Sequence, residues 1–264
     1  MSLNGKKSLL WELSMPGSSE SSYLFGTIHL QERSLFFRIP EVQNCIERTN
    51  AFMAEFPLDE ISAGEMDFYN LPGGRNWHDY LSARQYKRLE KIFLRFFSIN
   101  IHAFNQLLPL VMEQVLLDTM IKDHSGQSMD FVLWYFAKSR GKTLLGAESK
   151  VSQLEILEKF PKDIQFKNLK KIAQNPASYK AKIRKAKQAY FEEDLKKLAK
   201  QSIKSLGKMK SVLVYDRNIK ITQAIFSAMQ QQTLTCAIGA GHLTGQKGVL
   251  RLLKQHGITL KPVD

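Results

Sequence analysis

The chain has 264 residues, 44% of them hydrophobic, enough to bury one large core or two closely joined halves. Its 38 Lys and Arg against 25 Asp and Glu give a formal charge of +13. No run approaches the roughly 18 consecutive apolar residues of a membrane-spanning helix, and Cys45 and Cys236 are too few and too far apart for a disulfide scaffold or a cysteine zinc site. The basic start before Leu9 is followed by too short an apolar patch for a signal peptide and by no small-residue cleavage site. The sequence leaves the compartment open: cytoplasmic as written, periplasmic or secreted if a leader has been removed.

The charge is local. Residues 162–210 hold 15 basic and 4 acidic residues, an excess of 11, which leaves 23 basic and 21 acidic residues for the rest of the chain. Such a segment attracts an anionic partner, whether nucleic acid, lipid or an acidic protein, or else forms a solvated helical face. No aromatic interleaving accompanies it, which favours the solvated face.

In chain order, Ser8 to Leu13 and Tyr23 to Ile28 predict two strands joined by a Ser- and Gly-rich turn. Glu41 to Asn50, behind Pro40, predicts a helix with Val42, Cys45 and Ile46 on one face, and Ala51 to Phe56 a short apolar strand ending at Glu55. Strand, helix, strand is a βαβ unit of a parallel sheet. The stretch Asp59 to Asn76, with Gly64, Pro72, Gly73 and Gly74, reads as loop. Apolar residues then recur at three and four positions from Trp77 to Asp123, with Pro109 opening a second helix or kinking it. A helix capped by Ser128 or Asp130 follows, then a strand from Lys142 to Ala147 that ends at Glu148. Val151 to Phe160 reads as an amphipathic helix, the basic helices run to a break at Gly207, and an apolar-faced helix follows Asp216-Arg217-Asn218. Thr233 to Ile238 is the last core strand; a helix from Gly248 to Gln255 and a strand at Ile258 to Leu260 complete the pattern.

One device occurs twice. Phe25-Gly26-Thr27-Ile28-His29-Leu30 and Ile238-Gly239-Ala240-Gly241-His242-Leu243 each carry a buried strand into Gly-x-x-His-Leu. Glycine lets the backbone leave the sheet sharply, and the histidine then stands at the strand's C-terminal end, the edge where open α/β sheets bind ligands. A single copy could cap a turn; the duplication points to a shared site. With Glu55 and Glu148 at two further strand ends, the four groups could hold zinc, manganese, cobalt or iron, and a carboxylate off the metal could serve as general base. Arg217 and Asn218 could hold a substrate carboxylate or an oxyanion. Equally, the two glutamates could cap helices or pair with arginine, and Asp216-Arg217-Asn218 could be a capping cluster. The glycines from Gly239 to Gly248 lack the register of a phosphate loop. His78, His102, His124 and His256 have no partners at metal spacing and read as structural or surface residues.

Taken together, Leu10-Trp11-Glu12-Leu13, Phe25 to His29, Glu55, Asp130 with Ala137-Lys138 and Gly141-Lys142, Gly146-Ala147-Glu148 with Gln153, Arg217-Asn218, and Gly239 to Gly248 form an ordered set across almost the whole chain. In that order they resemble the TraB/GumN family, which includes the TIKI metalloproteases and the PrgY pheromone-shutdown proteins and is distantly similar to the erythromycin-esterase and ChaN group. The resemblance implies an α/β fold: a mixed, mostly parallel sheet of two related halves flanked by helices, with a helical insertion. As a single domain over residues 1–264 this gives half 1 at about 8–75, the insertion at about 76–140 and half 2 at about 141–264. It further implies a metal-dependent hydrolase, in TIKI-like members a peptidase using manganese or cobalt, acting on a peptide or small-molecule substrate. Some relatives act instead as inhibitors, which leaves a non-catalytic peptide- or cofactor-binding protein as the alternative. Carried over by position, His29, His242 and Glu55 would bind manganese, cobalt or zinc, Glu55 as ligand or base, Asn218 would orient substrate, and Glu148 and Arg217 would complete the catalytic set as supporting or substrate-facing groups. Two departures touch specificity: Ser149 stands where the family usually has Thr, and residues 162–210 are unusually basic.

Overall fold

The computed structural model describes residues 7–59, 69–121, 123, 125–149, 152, 155–156, 160–206 and 214–263. The expected helix at 151–160, the break at Gly207 and His124 fall wholly or largely outside these residues. The chain forms two compact units: residues 1–59, 123–152 and 186–264 make the first, residues 60–122 and 153–185 the second.

The first unit is built on one six-stranded sheet. Its strands are β1 (Leu10–Ser14), β2 (Ser21–Thr27), β3 (Ala51–Ala54), β4 (Thr143–Gly146), β5 (Leu234–Gly239) and β6 (Thr259–Pro262). Their order across the sheet is β4-β3-β5-β2-β1-β6. The four neighbours β4, β3, β5 and β2 run parallel, while β1 is antiparallel to both β2 and β6. The mixed, mostly parallel α/β sheet expected from the sequence is therefore present, and both Gly-x-x-His strands lie in it side by side. The reason is legible in the central strands: β3 (Ala-Phe-Met-Ala) and β5 (Leu-Thr-Cys-Ala-Ile-Gly) are buried at every position, the continuous apolar run of a strand covered on both faces.

Connections set the layers. From β2 the chain passes through α1 (Ile39–Arg48) to β3, and from β3 eventually through α4 (Met129–Ser139) to β4; α1 and α4 pack on each other. It then returns through α8 (Asp216–Met229) to β5, and α8 packs on α9 (Val249–Gln255). Because β5 inserts between β2 and β3, the crossovers reverse direction there, and right-handed connections then cover opposite faces. That reversal is a topological switch point, where a crevice opens at the carboxyl ends of the strands. The remaining helix of this unit is α7 (Leu195–Leu206). Helix α6 (Pro176–Phe191) passes in sequence from the second unit into the first.

The second unit is helical, with α2 (Ala83–Phe97), α3 (Pro109–Asp118) and α5 (Lys162–Gln174). Ser82 and Gln85 form a reciprocal cap that starts α2, and Pro109 sits in the first turn of α3. Trp77, Tyr86, Leu89, Phe93, Met112, Leu116, Phe166 and Leu169 are all buried in its core. Leu107, just ahead of α3, bridges to Asn70. The expected insertion at 76–140 thus supplies α2 and α3 to this unit, while α4 serves the sheet. No helix among the described residues is long and apolar enough to cross a membrane.

Candidate functional site

All four predicted groups leave the sheet at one edge. Thr27 pairs with Gly239, Met53 with Cys236 and Ala54 with Gly146, so the carboxyl ends of β2, β5, β3 and β4 are level. The β3–β4 ladder runs on past both strands: Ala147 N–H donates to the Ala54 carbonyl at 2.9 Å and Glu148 N–H to the Glu55 carbonyl at 2.8 Å. Adjacent backbone positions therefore carry the two carboxylates. Gly146 is required for this, since a Cβ there would stand 2.4 Å from Pro57 Cδ.

Arg217, in the first turn of α8, bridges the two acids. Its Nε donates to Glu148 Oε2 at 2.7 Å and its terminal nitrogen to Glu55 Oε2 at 2.9 Å. The other Glu55 oxygen, Oε1, accepts the Gly239 amide at 2.7 Å. Glu148 is buried, and its Oε1 has no hydrogen-bond partner among the described residues.

The two histidines are held differently. His242 Nδ1 lies 2.6 Å from Asn218 Oδ1, and Asn218 Nδ2 donates to the Lys247 carbonyl at 2.6 Å. The second bond fixes which end of the amide faces the ring, so Nδ1 donates and Nε2 carries the lone pair. His242 Nε2 lies 3.9 Å from Glu55 Oε1, and its side chain is 11% exposed. His29 instead faces a carboxylate: Nδ1 lies 3.5 Å from Asp130 Oδ2, and the other Asp130 oxygen accepts Thr27 Oγ1 at 2.9 Å. Its side chain is 63% exposed.

Electrostatics separate the pair. Burial is the largest effect at His242; aided by Arg217 and His29 it outweighs the opposing influence of Glu55 and lowers the pKa to about 4. The hydrogen bond to Asp130 raises that of His29 against partial desolvation, a shift moderated by the water around so exposed a ring. Burial opposes ionisation of Glu55, but His242, Arg217, His29 and the Gly239 amide together lower its pKa to about 2. His242 is neutral at pH 7, so Arg217, His29 and the amide carry that effect under ordinary conditions. Arg217, despite burial, is held charged by Glu55 and Glu148.

The three groups bound one small space in front of Gly239. A Cβ built there would stand 3.1 Å from Glu55 Oε1, 3.6 Å from His242 Cδ2 and 3.9 Å from His29 Nε2. Two imidazole Nε2 atoms, each with its Nδ1 turned to an oxygen of its own supporting residue, and one carboxylate are a donor set suited to zinc, manganese or cobalt. As the side chains stand, no three His, Cys, Asp or Glu among the described residues are close enough to form a metal group.

The family model described as TraB/PrgY/gumN family matches residues 9–262. The chain belongs to the TraB/PrgY/gumN family. Searches of curated proteins and of solved structures returned no match.

Within this member of the TraB/PrgY/gumN family, His29, Glu55, Glu148, Arg217, Asn218 and His242 come together at one sheet edge. Asn218 is 1% exposed and spends both ends of its amide on His242 and Lys247, so it positions the histidine. Arg217 is likewise committed to the two glutamates. Sequence reasoning missed Asp130 as a partner of His29. It read Asp130 as a possible helix cap, but Ser128 caps α4 and leaves Asp130 in the first turn, facing Thr27 and His29. The available signal was the presence of two acceptable caps two residues apart, only one of which the helix needs. His102 bridges Glu90 Oε1 at 2.6 Å and Tyr86 Oη at 3.0 Å, and His78 and His256 stack on Tyr86 and Phe226.

Proposed function

We propose that this edge is a hydrolytic centre that cleaves an amide or related bond in a peptide or small molecule with the help of a divalent metal. The observation that supports the reading most is the space in front of Gly239, bounded by His29 Nε2, the His242 ring and Glu55 Oε1. His29, His242 and Glu55 would hold manganese, cobalt or zinc. Such an ion, when bound, lowers the pKa of a water ligand toward neutrality and so supplies hydroxide. The residues divide the remaining work. Asn218 turns the His242 lone pair toward the space, and burial keeps that nitrogen unprotonated down to about pH 4. Arg217 and the Gly239 amide keep Glu55 ionised, which leaves it a good ligand and a weak proton acceptor. His29, the exposed member, carries a proton at neutral pH that metal uptake must displace, so affinity rises with pH.

Elemental analysis after dialysis against manganese, cobalt or zinc, with His29→Ala and His242→Ala alongside, tests the assignment. Near-stoichiometric metal lost in both variants, with peptide cleavage that follows metal content, is the expected result. Normal metal content in both variants would overturn it. A second reading, a binding protein without turnover, draws on Glu55 having both oxygens engaged, Oε1 by an amide and Oε2 by a guanidinium. Tight peptide binding with no product under any metal would favour that reading.

A further inference from the structure

The outer face of α2 is a stripe of cations. Arg84, Lys87, Arg88, Lys91 and Arg95 recur at three and four residues, and all are exposed. The opposite face, Tyr86, Leu89, Phe93 and Phe97, is buried in the core of the helical unit. The helix has one acid, Glu90, and it is half-buried and turned to His102. Among the described residues none of the five cations forms an ion pair with a carboxylate. Like charges at this spacing repel one another, so the stripe weakens the isolated helix and is relieved only by an external polyanion or by salt.

Two further features lie on the same unit. At the C-terminal end of the stripe Leu94 is 58% exposed and Phe96 36% exposed, with the Arg95 guanidinium 5.5 Å from the Phe96 ring centre. Between α2 and α5 a cleft of about 130 Å³ is lined by Arg88, Lys170, Gln85 and Gln174 over a floor of Leu89 and Ala173. Two cations and two side-chain amides around so small a space suit a phosphate group.

We propose that this face docks on an anionic phospholipid membrane. The cations spread over headgroup phosphates, one phosphate seats between Arg88 and Lys170, and Leu94, on the same side of the helix as Lys91 and Arg95, enters the headgroup layer. Leu94, exposed among the cations, favours lipid over nucleic acid. An aliphatic side chain on the cation-bearing face has no counterpart along a sugar-phosphate chain, but it is stabilised at the acyl boundary of a bilayer.

The test is flotation of the full chain with phosphatidylcholine vesicles, with and without about 30% phosphatidylserine, from about 0.05 to 0.5 M salt, beside duplex DNA in the same buffers. Binding confined to the anionic vesicles and falling with salt is expected. The triple change Arg84→Gln, Arg88→Gln, Lys91→Gln should weaken partitioning roughly 100-fold, about fivefold for each charge lost near the surface. Leu94→Ser should remove the binding that survives at high salt. All four positions are at the surface, so circular dichroism melts should match the parent and exclude misfolding. Equal binding to neutral vesicles, unchanged binding of the triple variant, or DNA binding tighter than vesicle binding would each overturn the proposal.

Discussion

The two Gly-x-x-His elements lie on neighbouring parallel strands, yet they hold their histidines in opposite states. His29 is open to water with Asp130 beside it and its pKa raised; His242 is buried, its partner is the neutral amide of Asn218, and its pKa falls to about 4. The glycines differ as well. A Cβ at Gly26 would stand 2.6 Å from Leu243 Cδ1 and 3.1 Å from Ala240 Cβ, so this glycine makes room for packing between the two elements. At Gly239 the same atom would enter the space bounded by Glu55 and both histidines, and the Gly239 amide holds Glu55 in place. One repeated sequence thus provides a charged, accessible imidazole and a neutral, enclosed one, and the second contact of each ring makes the difference.

The largest break in this contrast should come from Arg217→Met. Removing the cation strands Glu55 and Glu148 as buried carboxylates and should cost about 3–5 kcal/mol in urea unfolding. It should also raise the pKa of Glu55 and of His242, drawing the two histidines together. The pH dependence follows from the sign of the Glu55 shift. Its folded pKa of about 2 lies below the ordinary 4.5, so its stabilisation is complete above about pH 4.5 and is lost as pH falls toward 2. The wild type should show that acid limb and the variant a weaker one, since His242, His29 and the Gly239 amide still act on Glu55; equal stability of the two at pH 7 would contradict the bridge.

Asn218 offers two tests. Asn218→Ala leaves the His242 Nδ1–H and the Lys247 carbonyl without their partner and should cost about 1–3 kcal/mol by thermal denaturation. Asn218→Asp gives His242 the kind of partner His29 has and should move its pKa above 4 by at least about one unit, read from imidazole proton shifts by NMR. An unmoved titration would mean that burial alone sets the value.

The glycines should separate stability from function. Gly26→Ala should cost about 1–3 kcal/mol through the clash with Leu243 and Ala240. Gly239→Ala should cost less, because Glu55 Oε1 at 3.1 Å needs to shift only slightly, yet it should lose metal or substrate binding. Equal losses in both properties for the two variants would remove the distinction. The smallest effect is expected from Asp130→Asn. With His29 63% exposed, stability should change by less than about 1 kcal/mol, while the His29 titration falls toward the ordinary value of 6.5.

Much of the site was legible because strand ends are legible. An apolar run that stops at Glu55, Glu148, Gly26 or Gly239 places the next polar residue at the sheet edge, and parallel strands share that edge. Roles were less legible than positions. Asn218 and Arg217 resemble substrate-facing groups in sequence, since nothing local shows that Asn218 lies between a histidine and a carbonyl or that Arg217 spans two glutamates.

The fold class, the strand ends and the repeated Gly-x-x-His element were legible in the sequence alone, because periodicity, turn residues and repeated motifs are local properties of the chain; that Arg217 and Asn218 join His29, Glu55, Glu148 and His242 was implied only by the family resemblance. The insertion of β5 between β2 and β3, the partnership of His29 with Asp130 across about a hundred residues, and the opposite charge states of the two histidines were decided by tertiary structure. Strand order depends on which faces the helices cover, and a pKa depends on burial and neighbours. Both are set by contacts between residues far apart in the chain.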